Sequence, residues 1–121
     1  MQLGTVMIYA KDLPLMAAFY EQTLGLPAIA ETRTEHWVEL RAGAVKIALH
    51  AIPAHIAAEI KITSPPEARE ETPLKLLFAV PNIAAKATRF KALGVTIFER
   101  PWGGCDAMDP EGNIFGLTAQ S

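Results

Sequence analysis

The sequence predicts an α+β fold that is built from two βαβββ modules. Three observations support this prediction: a chain of 121 residues, a strand–helix opening that occurs twice, and short β-like segments after each helix. The length suits a single domain, residues 1–121, made of modules 1–62 and 73–121. The intervening residues 63–72 are polar and contain two adjacent prolines, which is typical of an exposed linker.

The two openings contain the same features in the same order. Residues 4–10 and 74–80 are short apolar runs of the kind that form strands. Asp12 and Asn82, which lie 70 residues apart, each stand at the start of a run with apolar residues at helical spacing. A Leu-Gly pair then ends each helix. This correspondence indicates an internal duplication.

Further strands are expected after each helix. They are residues 28–33, 36–42 and 45–51 in the first module, and 95–99, 103–108 and 113–119 in the second. Residues 109–113, DPEGN, are typical of a tight structural turn. Residues 53–60 are compatible with one helical turn or with a loop.

Composition excludes several classes of protein. The chain has 11 Lys and Arg residues against 13 Asp and Glu residues, so there is no basic excess to bind nucleic acid or an anionic membrane. No apolar run is long enough for a membrane-spanning helix, and the N-terminal residues do not resemble a targeting segment. Cys105 is the single cysteine, which indicates a reducing compartment. A cytoplasmic location is therefore expected.

Four stretches together resemble one family, the glyoxalase / bleomycin resistance / extradiol dioxygenase superfamily, also called vicinal oxygen chelate proteins. They are VMIYAKDLPLMAAFYEQTLGL, LLFAVPNIAAKATRFKALGV, PWGG (101–104) and DPEGNIFGL (109–117). The resemblance implies a curved, half-open mixed sheet with helices outside and a concave ligand-binding interior. Most enzymes of this family hold a divalent metal there with His, Gln or Glu side chains from four strands.

The resemblance places the four metal-ligand positions on Thr5, Ala48, Lys75 and Gly116. Ala and Gly have no side-chain donor, and a lysine ammonium repels a dication. No metal and no other cofactor are therefore expected. The open alternative is a rebuilt metal site in which His50 acts with Glu39 or His36.

Period-two alternation, applied to the strands of this fold, assigns the side chains that face the ligand. The expected ligand-binding residues are Thr5, Met7, Tyr9, Trp37, Ala48, His50, Lys75, Leu77, Trp102 and Gly116. Lys75 is interpreted either as a cation that pairs with an anionic ligand group or as a lysine that reaches the rim or pairs with Glu39. Cys105 has no base beside it in the sequence and is a weak nucleophile candidate.

These observations predict a metal-free protein that binds a small organic molecule, with anionic or aromatic compounds as candidates. The alternative is a lyase, isomerase or dioxygenase of the same superfamily with an atypical metal or acid/base site. A module that senses a metabolite is a third hypothesis. A homodimer is expected, because family members usually pair.

Overall fold

The computed structural model describes residues 1–120 and divides into two compact units, Met1–Lys61 and a second unit that begins at Ile62. The first unit contains a three-stranded sheet and the second a four-stranded sheet, each accompanied by helices. This mixture confirms the predicted α+β class. None of the helices in residues 1–120 has the length and apolar character that a bilayer crossing requires.

The sheet of the first unit has the order β1–β3–β2. Its strands are β1 (Thr5–Ala10), β2 (Trp37–Ala42) and β3 (Val45–Ala51). β3 lies in the centre, parallel to β1 and antiparallel to β2. Parallel neighbours need a long connection, which helix α1 and the following residues provide.

Helix α1 (Leu13–Ala18) starts at Asp12, whose carboxylate accepts a hydrogen bond from the Leu15 amide at 3.2 Å. The chain continues as a π-helical turn, Phe19–Thr23. One face of this continuous segment is buried and consists of Leu13, Met16, Ala17 and Tyr20. The predicted cap and apolar face are therefore both present.

The strand expected at residues 28–33 is wrong. Ala28 forms only an isolated bridge with Leu40, and Ala30–Thr32 form a single 3-10 turn. Pro27 precedes this segment and has no amide hydrogen to donate to a ladder. The residues after Ile29 are mostly exposed, so no buried apolar face holds them in a strand.

The second unit follows the predicted order of elements. These are β4 (Leu76–Val80), α3 (Ile83–Ala92), β5 (Ile97–Glu99), β6 (Cys105–Met108) and β7 (Ile114–Ala119). The sheet order is β4–β7–β6–β5, with β4 and β7 parallel and the other pairs antiparallel. Asn82 caps α3 by accepting a hydrogen bond from the Ala85 amide at 2.9 Å.

Aromatic packing joins α3 to the sheet of the second unit. The buried ring of Phe115 contacts Phe78 and Phe90 edge-on, with centroids 5.6 and 6.3 Å apart. This geometry is favourable for aromatic pairs. Since the Phe115 side chain faces α3, the Cβ position of the next residue, Gly116, lies on the opposite face of β7.

Backbone contacts define the structure of residues 53–60 and of part of the predicted linker. Within residues 53–60, Ala54–Ala57 form a short helix, α2. Lys11 donates its ammonium hydrogens to the carbonyl oxygens of Ala57, at 2.8 Å, and Ile60. The polar linker is mainly exposed, but Arg69 pairs with Asn113 in an isolated parallel bridge.

Candidate functional site

The second sheet carries a row of side chains on the face opposite α3. Leu77 of β4 and Asp106 of β6 flank Gly116 of β7 in the strand register. A Cβ atom at Gly116 would lie 2.8 Å from Leu77 Cδ2, 3.0 Å from Asp106 Oδ1 and 3.3 Å from Lys75 Cε. The missing side chain of Gly116 therefore leaves the space that Lys75 and Asp106 share.

Asp106 is a buried carboxylate, 3% exposed, that contacts two cations. Lys75 Nζ lies 2.7 Å from its carboxylate oxygens, and Arg100 Nε donates to Oδ2 at 2.8 Å. Desolvation by itself would raise the pKa of Asp106, but hydrogen bonds from Lys75 and Arg100 outweigh it and hold the pKa below its usual value. The carboxylate is therefore ionised at neutral pH.

Arg100 connects this ion pair to the linker and to two aromatic rings. Its Nη2 atom donates to the Glu70 carboxylate. Its guanidinium carbon lies 5.0 Å from the ring centroid of Phe98 and 5.8 Å from that of Trp102. The hydrogen bond to Glu70, followed by the one to Asp106, raises the pKa of Arg100 above its usual value. This residue is a permanent cation.

A cavity of about 250 Å³ opens beside this cluster. Its lining includes Arg69, Glu70, Lys75, Arg100, Trp102 and Asp106, and we refer to it as the Arg100 cavity. Leu74 and Ile114 add apolar surface to the wall. The cavity thus combines cationic groups, one exposed indole and a small apolar wall, which is a chemistry suited to a small organic ligand.

In the first unit, three rings form a row across the sheet. His50 of β3 lies between Tyr9 of β1 and Trp37 of β2 in the register. The His50 ring centroid is 5.7 Å from that of Tyr9 and 5.6 Å from that of Trp37. Tyr9 is 57% exposed, so this row offers an aromatic surface to solvent.

The remaining predicted residues of the first unit lie on the same face as these rings. Met7 stands opposite Ala48 in the register, and Thr5 stands opposite Lys46. Ala48 is fully buried, whereas Met7 and Thr5 are exposed. Glu39 is buried beside Ala48 and its carboxylate is 3.5 Å from Lys46 Nζ, whereas the carboxylate that Lys75 contacts is that of Asp106.

A second cavity, of about 680 Å³, lies at the end of β3 in the first unit. It is lined by His36, His50, Lys11 and residues of the segment 51–58. His36 is exposed and its Nε2 atom lies 3.1 Å from Glu35. The Lys11 ammonium already donates to the carbonyl oxygens of Ala57 and Ile60.

The side chains present do not fit the divalent metal that the family resemblance implies. Ala48 and Gly116 contribute no donor, and the Lys75 ammonium contacts Asp106 in place of a metal. Within residues 1–120, no group of three or more His, Cys, Asp or Glu side chains is arranged to hold a metal ion. Neither His36 nor Glu39 thus completes such a group with His50.

Cys105 precedes Asp106 on β6 and is a free, half-buried thiol. Burial raises its pKa, and the negative charge of Asp106 raises it further. The thiolate fraction at neutral pH is reduced as a result. This is the reverse of what an activated nucleophile needs.

The structure groups the expected site residues by unit. It brings Thr5, Met7, Tyr9, Trp37, Ala48 and His50 onto one face of the first sheet. In the second unit, Lys75 and Leu77 both lie beside the position of the absent Gly116 side chain. Lys75 and Trp102 line the Arg100 cavity.

Sequence reasoning missed Asp106, Arg100 and Glu70. A charged residue inside the predicted strand 103–108 was an available signal for Asp106, since buried strands seldom contain an unpaired carboxylate. Arg100 and Glu70 lie in connecting segments and had no such signal. Their mutual contact joins residues 30 positions apart, which local patterns do not reveal.

Comparison with known proteins agrees with this architecture. The family model described as "Glyoxalase/Bleomycin resistance protein/Dioxygenase superfamily" matches residues 2–117, and the chain belongs to this superfamily. The suspected resemblance is therefore confirmed. A search of curated protein sequences gives no significant match.

Solved structures share the fold at low sequence identity. TnmS3, an antibiotic binding protein from Streptomyces sp., has a TM-score of 0.69 at 22% identity, with 100% of this chain and 97% of that chain covered. A bleomycin resistance determinant encoded on the transposon Tn5 has a TM-score of 0.64 at 19% identity, covering 100% and 99%. Lactoylglutathione lyase from Agrobacterium tumefaciens has a TM-score of 0.62 at 21% identity, covering 96% and 91%.

Proposed function

We propose that this chain is a metal-free protein that binds a small organic molecule, with the Arg100 cavity as part of its binding site. The observation that carries the proposal is the Lys75–Asp106–Arg100 cluster. It places two cations beside an open cavity, and one of them, Lys75, stands where the family resemblance would place a metal ligand.

The physical character of the cavity supports this function. A binding site for a small organic molecule combines apolar surface with a few fixed polar groups. Asp106 fixes Lys75 and Arg100, because each is held by a short hydrogen bond to a buried carboxylate. Trp102, which is 72% exposed, provides an aromatic surface beside them. That TnmS3 is described as an antibiotic binding protein is consistent with small-molecule binding on this fold.

The sequence-predicted residues of the first unit are part of the proposal. Tyr9, Trp37 and His50 form an aromatic row with an exposed edge, which suits stacking against a planar ligand. Met7 and Thr5 lie on the same face and provide adjoining surface, and the small, buried side chain of Ala48 lies beside Met7. In the second unit, Leu77 and Gly116 lie next to Lys75 and are proposed as part of the same binding surface.

The first test is a ligand screen on protein whose metal content is known. Elemental analysis after exposure to Ni, Zn, Mn and Fe should find far less than one metal per chain, since the donor set does not fit. A panel of small aromatic and anionic compounds should then produce binding by calorimetry. Stoichiometric metal, or a full panel without binding, would contradict the proposal.

A matched pair of lysine variants tests where the ligand binds. Lys75→Ala should weaken binding of an anionic hit about tenfold, because one charge-assisted hydrogen bond is lost. Lys91→Ala is the control, since Lys91 is an exposed lysine of α3 whose nearest carboxylate is Glu99 at 3.8 Å. Equal affinity of the Lys75 variant and the wild type would show that Lys75 is not part of the site.

We also propose that the chain forms a homodimer. Large apolar side chains are exposed on the sheet faces of both units, including Met7, Tyr9 and Leu77, which is 61% exposed. A second copy of the chain would bury such surface and gain hydrophobic free energy.

A cytoplasmic location is proposed on the basis of Cys105, which is the single cysteine and is a free thiol. Cell fractionation tests this proposal directly. Recovery of the protein in the periplasmic or membrane fraction would contradict it.

A further inference from the structure

The linker before β4 carries a carboxylate to the Arg100 cavity. Arg69 is held in a bridge with Asn113, and its amide donates to the Gly112 carbonyl oxygen at 2.8 Å. The next residue, Glu70, accepts a hydrogen bond from Arg100 Nη2. The turn at residues 109–113 thus positions the linker, and the linker positions Glu70.

The two carboxylates of the cavity differ in how firmly they are held. Asp106 is buried and contacts both Lys75 and Arg100, so its removal from these cations would leave a buried charge unpaired. The Glu70 side chain is 52% exposed and forms an ion pair with Arg100. A half-exposed carboxylate regains contact with water when it leaves its partner, whereas Asp106 is 3% exposed, so Glu70 is the carboxylate that a competing anion can displace.

The charges of the cavity favour an anion once Glu70 has left. Its lining contains three cationic side chains, those of Arg69, Lys75 and Arg100, against the carboxylates of Glu70 and Asp106. Displacement of Glu70 leaves the three cations with one carboxylate. The guanidinium of Arg100 then presents its Nη2 atom, and a planar carboxylate matches the geometry of a guanidinium.

The surroundings of Arg100 also favour a flat ring of limited size. The Trp102 indole lies beside the guanidinium and packs over Gly104, where a Cβ atom would be 3.1 Å from Trp102 Cδ1. A ring attached to the carboxylate would reach this indole and the apolar wall. The volume of about 250 Å³ is below the range of roughly 300–1,000 Å³ that is usual for drug-sized ligands, which favours a molecule of one or two rings.

We propose, building on the small-molecule binding proposed above, that the Arg100 cavity binds a small planar aromatic carboxylate and that Glu70 is an internal anion which this ligand displaces from Arg100. Glu70 thereby lowers the affinity of the site for every anion. It also keeps Arg100 paired when no ligand is present.

The test uses two probes that share one ring system and differ in the charge of the substituent, 2-naphthoate and the neutral 2-naphthylmethanol. Calorimetric titrations compare the wild type with Glu70→Gln, which keeps the side-chain shape but removes the competing charge. Glu71→Gln is the matched control, since it removes the same charge from an exposed neighbouring residue. Glu70→Gln should raise the affinity for 2-naphthoate about two- to fivefold and leave that for the alcohol unchanged. Glu71→Gln should have less effect on naphthoate binding.

Other results of these titrations would contradict the proposal in different ways. Equal naphthoate affinity of Glu70→Gln and wild type, or an equal gain for the alcohol, would overturn the role of Glu70 as a competing anion. Binding of the alcohol without binding of naphthoate would overturn the ligand class and leave small-molecule binding in place. Absence of binding for both probes in the wild type and in Glu70→Gln would overturn this inference and the assignment of the binding site to the cavity.

Discussion

At the scale of single residues, Asp106 determines the chemistry of the second unit. Its carboxylate is buried, and burial of an unpaired charge is costly. Lys75 and Arg100 compensate by contacting the carboxylate oxygens from two directions. Both cations are positioned by this carboxylate, so the orientation of the candidate binding groups depends on one buried residue.

Asp106→Asn tests this dependence through stability. Loss of the charge should lower the free energy of unfolding at neutral pH by about 1–3 kcal/mol, because two charge-assisted hydrogen bonds are weakened. Since the pKa of Asp106 is lowered in the folded chain, its stabilisation is full above the unfolded pKa of about 3.9 and is lost as the pH falls through the folded pKa. Urea unfolding of wild type and variant from about pH 7 to about pH 3 measures the difference.

The control for this measurement is Glu99→Gln, which changes a carboxylate whose side chain is 87% exposed. It should alter the free energy of unfolding by less than about 0.5 kcal/mol at neutral pH. If the difference in unfolding free energy between wild type and Asp106→Asn stays constant across the acid range, the charge of Asp106 is not the source of the stabilisation.

At the scale of elements, the turn at residues 109–113 connects the sheet of the second unit to the linker. Asp109 accepts hydrogen bonds from the amides of Glu111, at 2.9 Å, and Asn113, at 3.0 Å. Gly112 has a φ of +88°, and its carbonyl oxygen accepts from Arg69 of the linker. The backbone of Glu67 lies directly against Gly112, at a place where a side chain would stand. This turn therefore requires glycine for two reasons.

Two glycine variants separate these reasons. Gly103→Ala introduces a side chain at a φ of +86° with nothing within 4 Å, so it should cost only the conformational strain of about 1–2 kcal/mol. Gly112→Ala has the same strain and also a collision with Glu67, so it should cost about 1–3 kcal/mol more. Equal unfolding free energies of the two variants, measured in urea, would show that the linker does not pack against the turn.

At the scale of the whole molecule, the chain contains two compact units that each have a sheet and a capped helix. Asp12 and Asn82 cap the first helix of their units in the same way, by accepting a hydrogen bond from the amide three residues later. This correspondence agrees with an internal duplication. The two units are not identical, since the first sheet has three strands and the second has four.

The proposed homodimer has a direct measurement at this scale. Sedimentation velocity at micromolar concentration should give the mass of two chains, because association would bury exposed apolar side chains such as Met7 and Leu77. Substituting Met7→Glu should shift the distribution toward the single chain, whereas Gln2→Glu, at an exposed terminal position, should not. A single-chain mass for the wild type would exclude the dimer under these conditions.

Local features of the chain were sufficient to predict most elements. Helix caps, Leu-Gly stops and the DPEGN turn depend on hydrogen bonds between residues close in sequence, and each of them is present. The strand predicted at residues 28–33 is absent because a strand requires a pairing partner and a buried face, which local composition does not reveal. The register that pairs Leu77 with Gly116 agrees with the alternation read from the strands.

The sequence by itself determined the α+β class and carried the resemblance that identified the family. The class follows from the spacing and type of neighbouring residues, which are local properties, whereas the missing metal donors are what the resemblance implies. The tertiary structure alone decided that Lys75 contacts Asp106, 31 residues away, and that Glu70 contacts Arg100, 30 residues away. The first pair depends on the order of the strands in the second sheet, and the second on where the linker is held. Both are set by packing of the whole unit, not by the sequence near either partner.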